Sequence, residues 1–174
     1  MRGPLKREVF STFRKEVSQR FLEFALVKEI ASFWLWEWRA ASNLTFFFAL
    51  QAFEDRDKFV LEVAWSEDGQ FPWKSLGKGK VALPQGRIRL ARLWKKGGEE
   101  PVWDLAPETT QGTQDHIAAR ARGEKMAYPT DMPVEQLTPR IPALVHDAID
   151  KLEQYGLPLF RQVAESHHIA WTGR

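Results

Sequence analysis

Between residues 33 and 65 the chain alternates apolar and polar positions in three blocks. FWLWEW is followed by the break RAASN, LTFFFALQAF by EDRDK, and the third block is KFVLEVAW. In that third block Phe59, Leu61, Val63 and Trp65 recur at every second position, the period of a pleated strand, while Val60, Glu62 and Ala64 fall on the other side. One buried face and one partly wet face are expected here. Residues 44–53 are apolar almost throughout, which predicts a central strand covered on both faces. The polar breaks have hairpin composition, so the three strands should run antiparallel in chain order. Trp34, Trp36 and Trp38 share one face of the first strand. Such a row lines either a groove or the underside of a helix; since helical segments elsewhere need a sheet to cover, packing is the expectation.

Ahead of the strands, residues 5–26 carry Val9, Phe10, Phe13, Val17, Phe21 and Phe24 at three- and four-residue steps, with Pro4 at a first-turn position. This predicts a long amphipathic helix. Its basic character would suit a membrane surface, but so aromatic a stripe predicts docking on the sheet. Beyond the strands, SEDGQFPW reads as a turn, and residues 86–94 as a fourth strand with Ile88 and Leu90 inward and Arg87 and Arg89 outward. Residues 102–105 would add a short fifth. Residues 106–132 are polar and are expected to be a mobile loop region with one short helix near 115–122. Pro142 should open a helix with the stripe Leu144, Val145, Ala148, Ile149, Leu152 and Tyr155. Gly156 is expected as its left-handed cap, and Pro158 should prevent its continuation. A second helix would follow over residues 159–166, then a partly loose end in which Trp171 is tied down. The expectation is a single α+β domain over residues 1–174: an antiparallel sheet of four to five strands packed against a long N-terminal helix and two C-terminal helices.

Composition narrows the class. With 44% hydrophobic and 13% aromatic residues, including eight Trp and twelve Phe, the 174-residue chain can build its own core. The absence of cysteine excludes disulfides, thiolate metal sites and cysteine nucleophiles, and fits a reducing compartment. Arg2, Lys6 and Arg7 are not followed by the apolar run of a signal peptide, and the longest wholly apolar run, FFFAL, is far short of a bilayer span. A cytoplasmic protein without a membrane partner is expected.

The order of parts, with ALQAF at residues 49–53 and YGLPLF at residues 155–160, resembles the bacterial domain-of-unknown-function family numbered 4304. The entry to the sheet, VKEIASFWLWEW, departs from the Gly-Phe-Lys-Lys-like start of many members. The resemblance implies an α+β fold and brings neither catalytic residues nor a cofactor.

The most distinctive local feature is charge. Lys74, Lys78, Lys80, Arg87, Arg89, Arg92, Lys95 and Lys96 follow one another without an acidic residue between them, flanked by Trp73 and Trp94. Cations for phosphates and flat rings for bases are what single-stranded nucleic acid requires, so Trp73, Lys74, Lys78, Lys80, Arg87, Arg89, Arg92 and Trp94 are the candidate binding residues. An acidic protein surface would use the same side chains. The plainer reading, favoured by a net charge of only +2, is a solvated face neutralised by Glu99, Glu100, Asp104 and the acidic loop at residues 54–57.

Catalytic signals are absent. His116, His146, His167 and His168 have no metal-ligand spacing, and in His146-Asp147 the neighbours diverge by about 100° on a helix. Ser75 to Lys78 (SLGK) lacks the supporting motifs of the Ser-x-x-Lys enzymes, and GKGK lacks the spacing of a phosphate loop. No catalytic residue, metal or cofactor is expected. The leading reading is a non-enzymatic binding domain whose partner is a protein met by an exposed sheet face or edge. The alternatives are nucleic-acid binding through residues 74–96 and an enzyme with a site assembled around His116 or His146.

Overall fold

The computed structural model describes residues 1–30, 32–72, 85–94, 102–106, 109–124, 130 and 132–173. β2 (Phe33–Ala41), β3 (Leu44–Ala52) and β4 (Lys58–Ser66) pair antiparallel in chain order, as their alternation requires. β1 (Ala25–Ile30) lies outside β2, while β5 (Gln85–Arg89) and the two-residue β6 (Trp103–Asp104) both pair with the outer side of β4. Among the described residues the result is a six-stranded antiparallel sheet in an α+β architecture, one strand more than the sequence suggests.

That strand is β1, and its origin corrects the first helix. α1 spans Gly3–Arg20 rather than continuing to residue 26. Phe21 and Phe24 have the helical three-residue step, yet Phe21 leaves helical dihedrals (φ −129°, ψ 65°) and both rings turn inward onto Phe48. They fill the corner through which the chain reverses into β1. As an outer strand with Lys28, Glu29 and Ile30 exposed and a bulge between Leu26 and Lys28, β1 has no apolar alternation to announce it.

One face of the sheet is roofed by helices. α1 presses Leu5, Val9, Phe13 and Val17 into the core. Phe10 stacks on Trp34 with centroids 4.6 Å apart, and Phe13 meets Trp36 at 5.3 Å. Trp38 packs edge-on against Trp171 at 5.0 Å, so the tryptophan row is core and Trp171 is tied down, both as expected. Each large side chain buried this way stabilises the fold by about 1.5–3 kcal/mol. On the opposite face Leu35, Phe47, Ala49 and Ala64 form a smaller cluster with Phe71, so β3 is covered on both sides.

α4 (Ile141–Lys151), a π-helical turn (Leu152–Gly156) and α5 (Leu157–Ser166) run as one continuous helix, not two. Gly156 is no left-handed cap; its φ is −73°. It is glycine because the helix passes close to the sheet there. A Cβ on Gly156 would stand 2.7 Å from Leu152 Cδ1 and 3.3 Å from Val63 Cγ1. Pro158 fits because it falls in the first turn of α5, just after the π turn has re-routed the backbone bonds that proline would break. Within residues 106–132 the short helix expected near 115–122 is α2, which starts earlier and spans Thr110–Ala121; the Gly112 N–H donates to the capping Thr109 Oγ1 at 3.0 Å. α3 (Val134–Leu137) then leads through a 3-10 turn (Thr138–Arg140) into α4. The expected fourth strand stops at Arg89 and becomes a 3-10 turn (Leu90–Leu93), which buries Leu90 and Ala91.

The β3–β4 loop is a structural hub rather than a solvated hairpin. The Asp57 side chain is 1% exposed and accepts from the Arg2 backbone N–H at 2.9 Å and from Arg2 Nε at 2.8 Å. Arg2 Nη1 donates onward to the Met132 carbonyl at 2.8 Å, and the Asp57 carbonyl accepts from the Leu105 N–H at 2.9 Å. The Met1 ammonium donates to the Phe53 carbonyl. Burial lowers the pKa of that ammonium to about 6, against the opposing pull of Asp57.

Two substitutions test this account. Ala at Gly86 would set its Cβ 2.2 Å from Trp65 Cζ2, and in urea unfolding Gly86→Ala is expected to lose about 1–3 kcal/mol. Asp57→Ala strips the partner from the buried Arg2 groups and should cost about 3–5 kcal/mol in the same measurement. Wild-type stability in either variant would contradict the packing described.

Candidate functional site

Where the chain leaves β5, the 3-10 turn sets Trp94 at its end. The ring lies on Tyr155 of the π turn, with centroids 5.1 Å apart and planes 29° from parallel. Trp103 comes from β6, where it is paired opposite Phe59 and stacked on that ring at 5.5 Å and 12°. The two indoles meet at 6.3 Å and 58°, forming a corner. Facing them, α4 offers Leu144, Asp147 and Lys151, whose three- and four-residue steps put them on one stripe of the helix. Together with Val102 and Asp104 these side chains line a cleft of about 390 Å³.

The polar groups of the cleft are held in a particular way. Trp103 Nε1 donates to Asp147 Oδ2 at 2.8 Å. The Lys151 ammonium stands 5.9 Å from the centroid of Trp94 and 5.6 Å from that of Tyr155, with Gln154 Oε1 3.4 Å away. Asp147 and Lys151 are an i, i+4 pair in the order that normally closes into a salt bridge on a helix. Here each is drawn to an aromatic partner instead. Asp104, by contrast, is occupied: it lies 3.2 Å from Lys58 Nζ and accepts from the Ala106 N–H at 3.1 Å. The cleft can therefore hold an apolar or flat group against the indoles, and among the described residues it offers one carboxylate and one ammonium.

The sequence-derived candidates that the structure describes do not form one group. Trp73, Lys74, Lys78 and Lys80, like Lys95, Lys96 and the SLGK and GKGK segments, lie outside the described residues. Arg87 is turned to the sheet face away from the helices, where its Nε and Nη2 donate to Glu62 Oε2 at 2.8 and 2.5 Å and its guanidinium covers Phe71 at 5.2 Å. With side-chain exposures of 14% and 5%, Arg87 and Glu62 form a buried pair rather than a solvated one. Arg89 shares that face, opposite Glu62 in the register; Arg92 is exposed in the 3-10 turn. Trp94 is on the helix side of the sheet. The structure thus puts Arg87 and Arg89 on the opposite side of the sheet from Trp94.

The histidines do not converge either. His116 is buried with Nε2 3.2 Å from Asp55, His146 is exposed with Nε2 3.2 Å from Glu16, and His167 Nδ1 is 3.4 Å from Glu67. Among the described residues no group of three or more His, Asp or Glu could hold a metal ion. Among them, too, no helix is long and apolar enough to cross a membrane.

Of the cleft residues only Trp94 was among the binding candidates read from sequence. The stripe of Leu144, Asp147 and Lys151 is readable from spacing, but nothing local tells that β6 brings Trp103 across from it. Comparison with known proteins adds no relative: no protein-family profile, curated protein or solved structure matches the chain.

The pairing of Arg87 predicts the outcome of reversing its charge. Arg87→Glu sets a second carboxylate beside buried Glu62 and should destabilise the fold by about 3–5 kcal/mol in urea. Replacing both partners with apolar residues, Glu62→Leu with Arg87→Met, should recover most of that loss. Equal stability of wild type and Arg87→Glu would show that the pair does not form.

Proposed function

We propose that this chain is a binding domain that receives its ligand in the cleft between α4 and the Trp94–Trp103 corner. The observation that carries the reading is the unclosed pair Asp147 and Lys151: two opposite charges one helical turn apart, each held by an aromatic side chain at the mouth of a 390 Å³ cleft. That volume falls in the usual range for small-ligand sites, about 300–1,000 Å³, and the mixture of apolar walls with few polar groups is typical of them. A binding role rather than a catalytic one is supported by the ion pairing elsewhere: Arg2, Arg20, Lys58 and Arg87 each face a carboxylate, and His116, His146 and His167 do the same. These groups tie elements together and do not converge on a reacting centre.

The test is a ¹⁵N-resolved NMR screen of a mixed fragment library that includes amino acids, nucleosides, sugars and short single-stranded oligonucleotides. The indole Nε1 signals of Trp94 and Trp103 are expected to move, and Leu144→Arg, which fills the cleft from its half-buried wall, should weaken the hits at least about tenfold, with the dispersed ¹⁵N spectrum of the variant showing that the fold is kept. Hits that persist in Leu144→Arg would sink the reading. Oligonucleotide shifts confined to Arg89 and Arg92 would move the site to the basic segment.

A further inference from the structure

The charge arrangement of the cleft says which ligand it suits. We infer that the cleft binds a small zwitterion of the α-amino acid class with an apolar side chain; this rests on the cleft being the binding site. Asp147 gives one carboxylate oxygen to Trp103 Nε1, and the other has no partner among the described residues. Lys151 rests on two ring faces with only a long 3.4 Å contact to Gln154, so its ammonium keeps donors to spare. The third charge, Asp104, is already matched by Lys58. Among the described residues the wall therefore presents one acceptor of negative charge and one donor of positive charge, with their Cβ atoms roughly 6 Å apart along the helix.

A ligand with only a cation would leave Lys151 facing it, and one with only an anion would meet Asp147. A phosphate-bearing ligand is worse still, since it brings two negative charges to a wall holding two carboxylates. A molecule with an ammonium and a carboxylate on one carbon satisfies both wall charges together, and its side chain is then directed to the indoles of Trp94 and Trp103 and to Leu144 and Val102. The aromatic side chains hold the two charges of the helix pair apart. The ligand closes the gap in its own body.

The experiment is a titration of the full chain with L-leucine, N-acetyl-L-leucine and L-leucinamide, read at the Trp94 and Trp103 Nε1 signals. Leucine should bind, and loss of either charge should weaken binding by roughly tenfold or more. Asp147→Asn should erase the preference over N-acetyl-leucine, and Lys151→Gln the preference over leucinamide. These crossed results need a correctly folded cleft and cannot arise from a general loss of structure. Equal binding of the three compounds, or none by leucine, overturns the zwitterion assignment. If leucine fails while other fragments still reach the cleft, only the ligand class is wrong; if no fragment reaches it, the binding-site reading falls as well.

Discussion

A layer of aromatic rings between sheet and helices is the constraint on which the rest of the structure depends. Trp36 stacks on Phe48 at 5.3 Å, Phe46 on Phe160 at 4.7 Å, and Phe24 touches both Phe48 and Phe160. Rings of this size set how near the helices can approach, and the backbone must give way wherever a ring needs more room. Gly86 gives way beneath Trp65, and Gly156 where the helix meets Val63 and Leu90. The layer also exacts a cost. The indole N–H groups of Trp34 and Trp65 are buried without a hydrogen-bond partner among the described residues. Each unsatisfied donor is worth about 1–3 kcal/mol of penalty, so these tryptophans are there for ring area and not for their polar edge.

Charge has a second, directional job. Apolar packing does not say which helix end goes where, but the ion pairs do. Arg20 at the end of α1 reaches Asp150 and Glu153 on the helix beside it, each at 2.6 Å, which fixes the two helices along their length. Asp57 gathers the start of α1, the approach to α3 and the chain beyond β6 at one corner. On the far face, Glu62 and Arg87 lock β5 to β4 diagonally across the register. These pairs hold together the scaffold that carries the cleft.

How much of this was legible in sequence depended on the period of each segment. β2, β3 and β4 were readable because alternation is strict and both faces of β3 are apolar. The helical stripes of α1 and α4 were readable for the same reason. β1 was not, because an outer strand needs no apolar alternation and Phe21 and Phe24 imitated another helical turn. Gly156 and Pro158 looked like punctuation because local chemistry cannot distinguish a glycine needed for a turn from one needed for close approach. The basic run was visible as composition, but which side of a strand Arg87 and Arg89 take relative to Trp94 is a property of the sheet. The cleft was harder still. Its two walls are more than forty residues apart in the chain, and the pairing of Trp103 with Phe59 is what brings them face to face.

The π-helical turn at Leu152–Gly156 has a consequence for how this chain can change length. A π turn is an α-helix that holds one extra residue without passing it on to the next turn. Removing one residue from it would leave a regular helix in which the residues beyond keep their direction, so that Phe160, Val163 and Ala164 would still face the core. The same deletion within the regular turns of α4 would rotate everything beyond it by about 100°, swinging those side chains out and polar neighbours such as Gln162 and Glu165 in. Here alone the helix carries a residue it could lose without changing phase, and on either side of it α4 faces the cleft and α5 faces Phe46, both on the same side of the sheet.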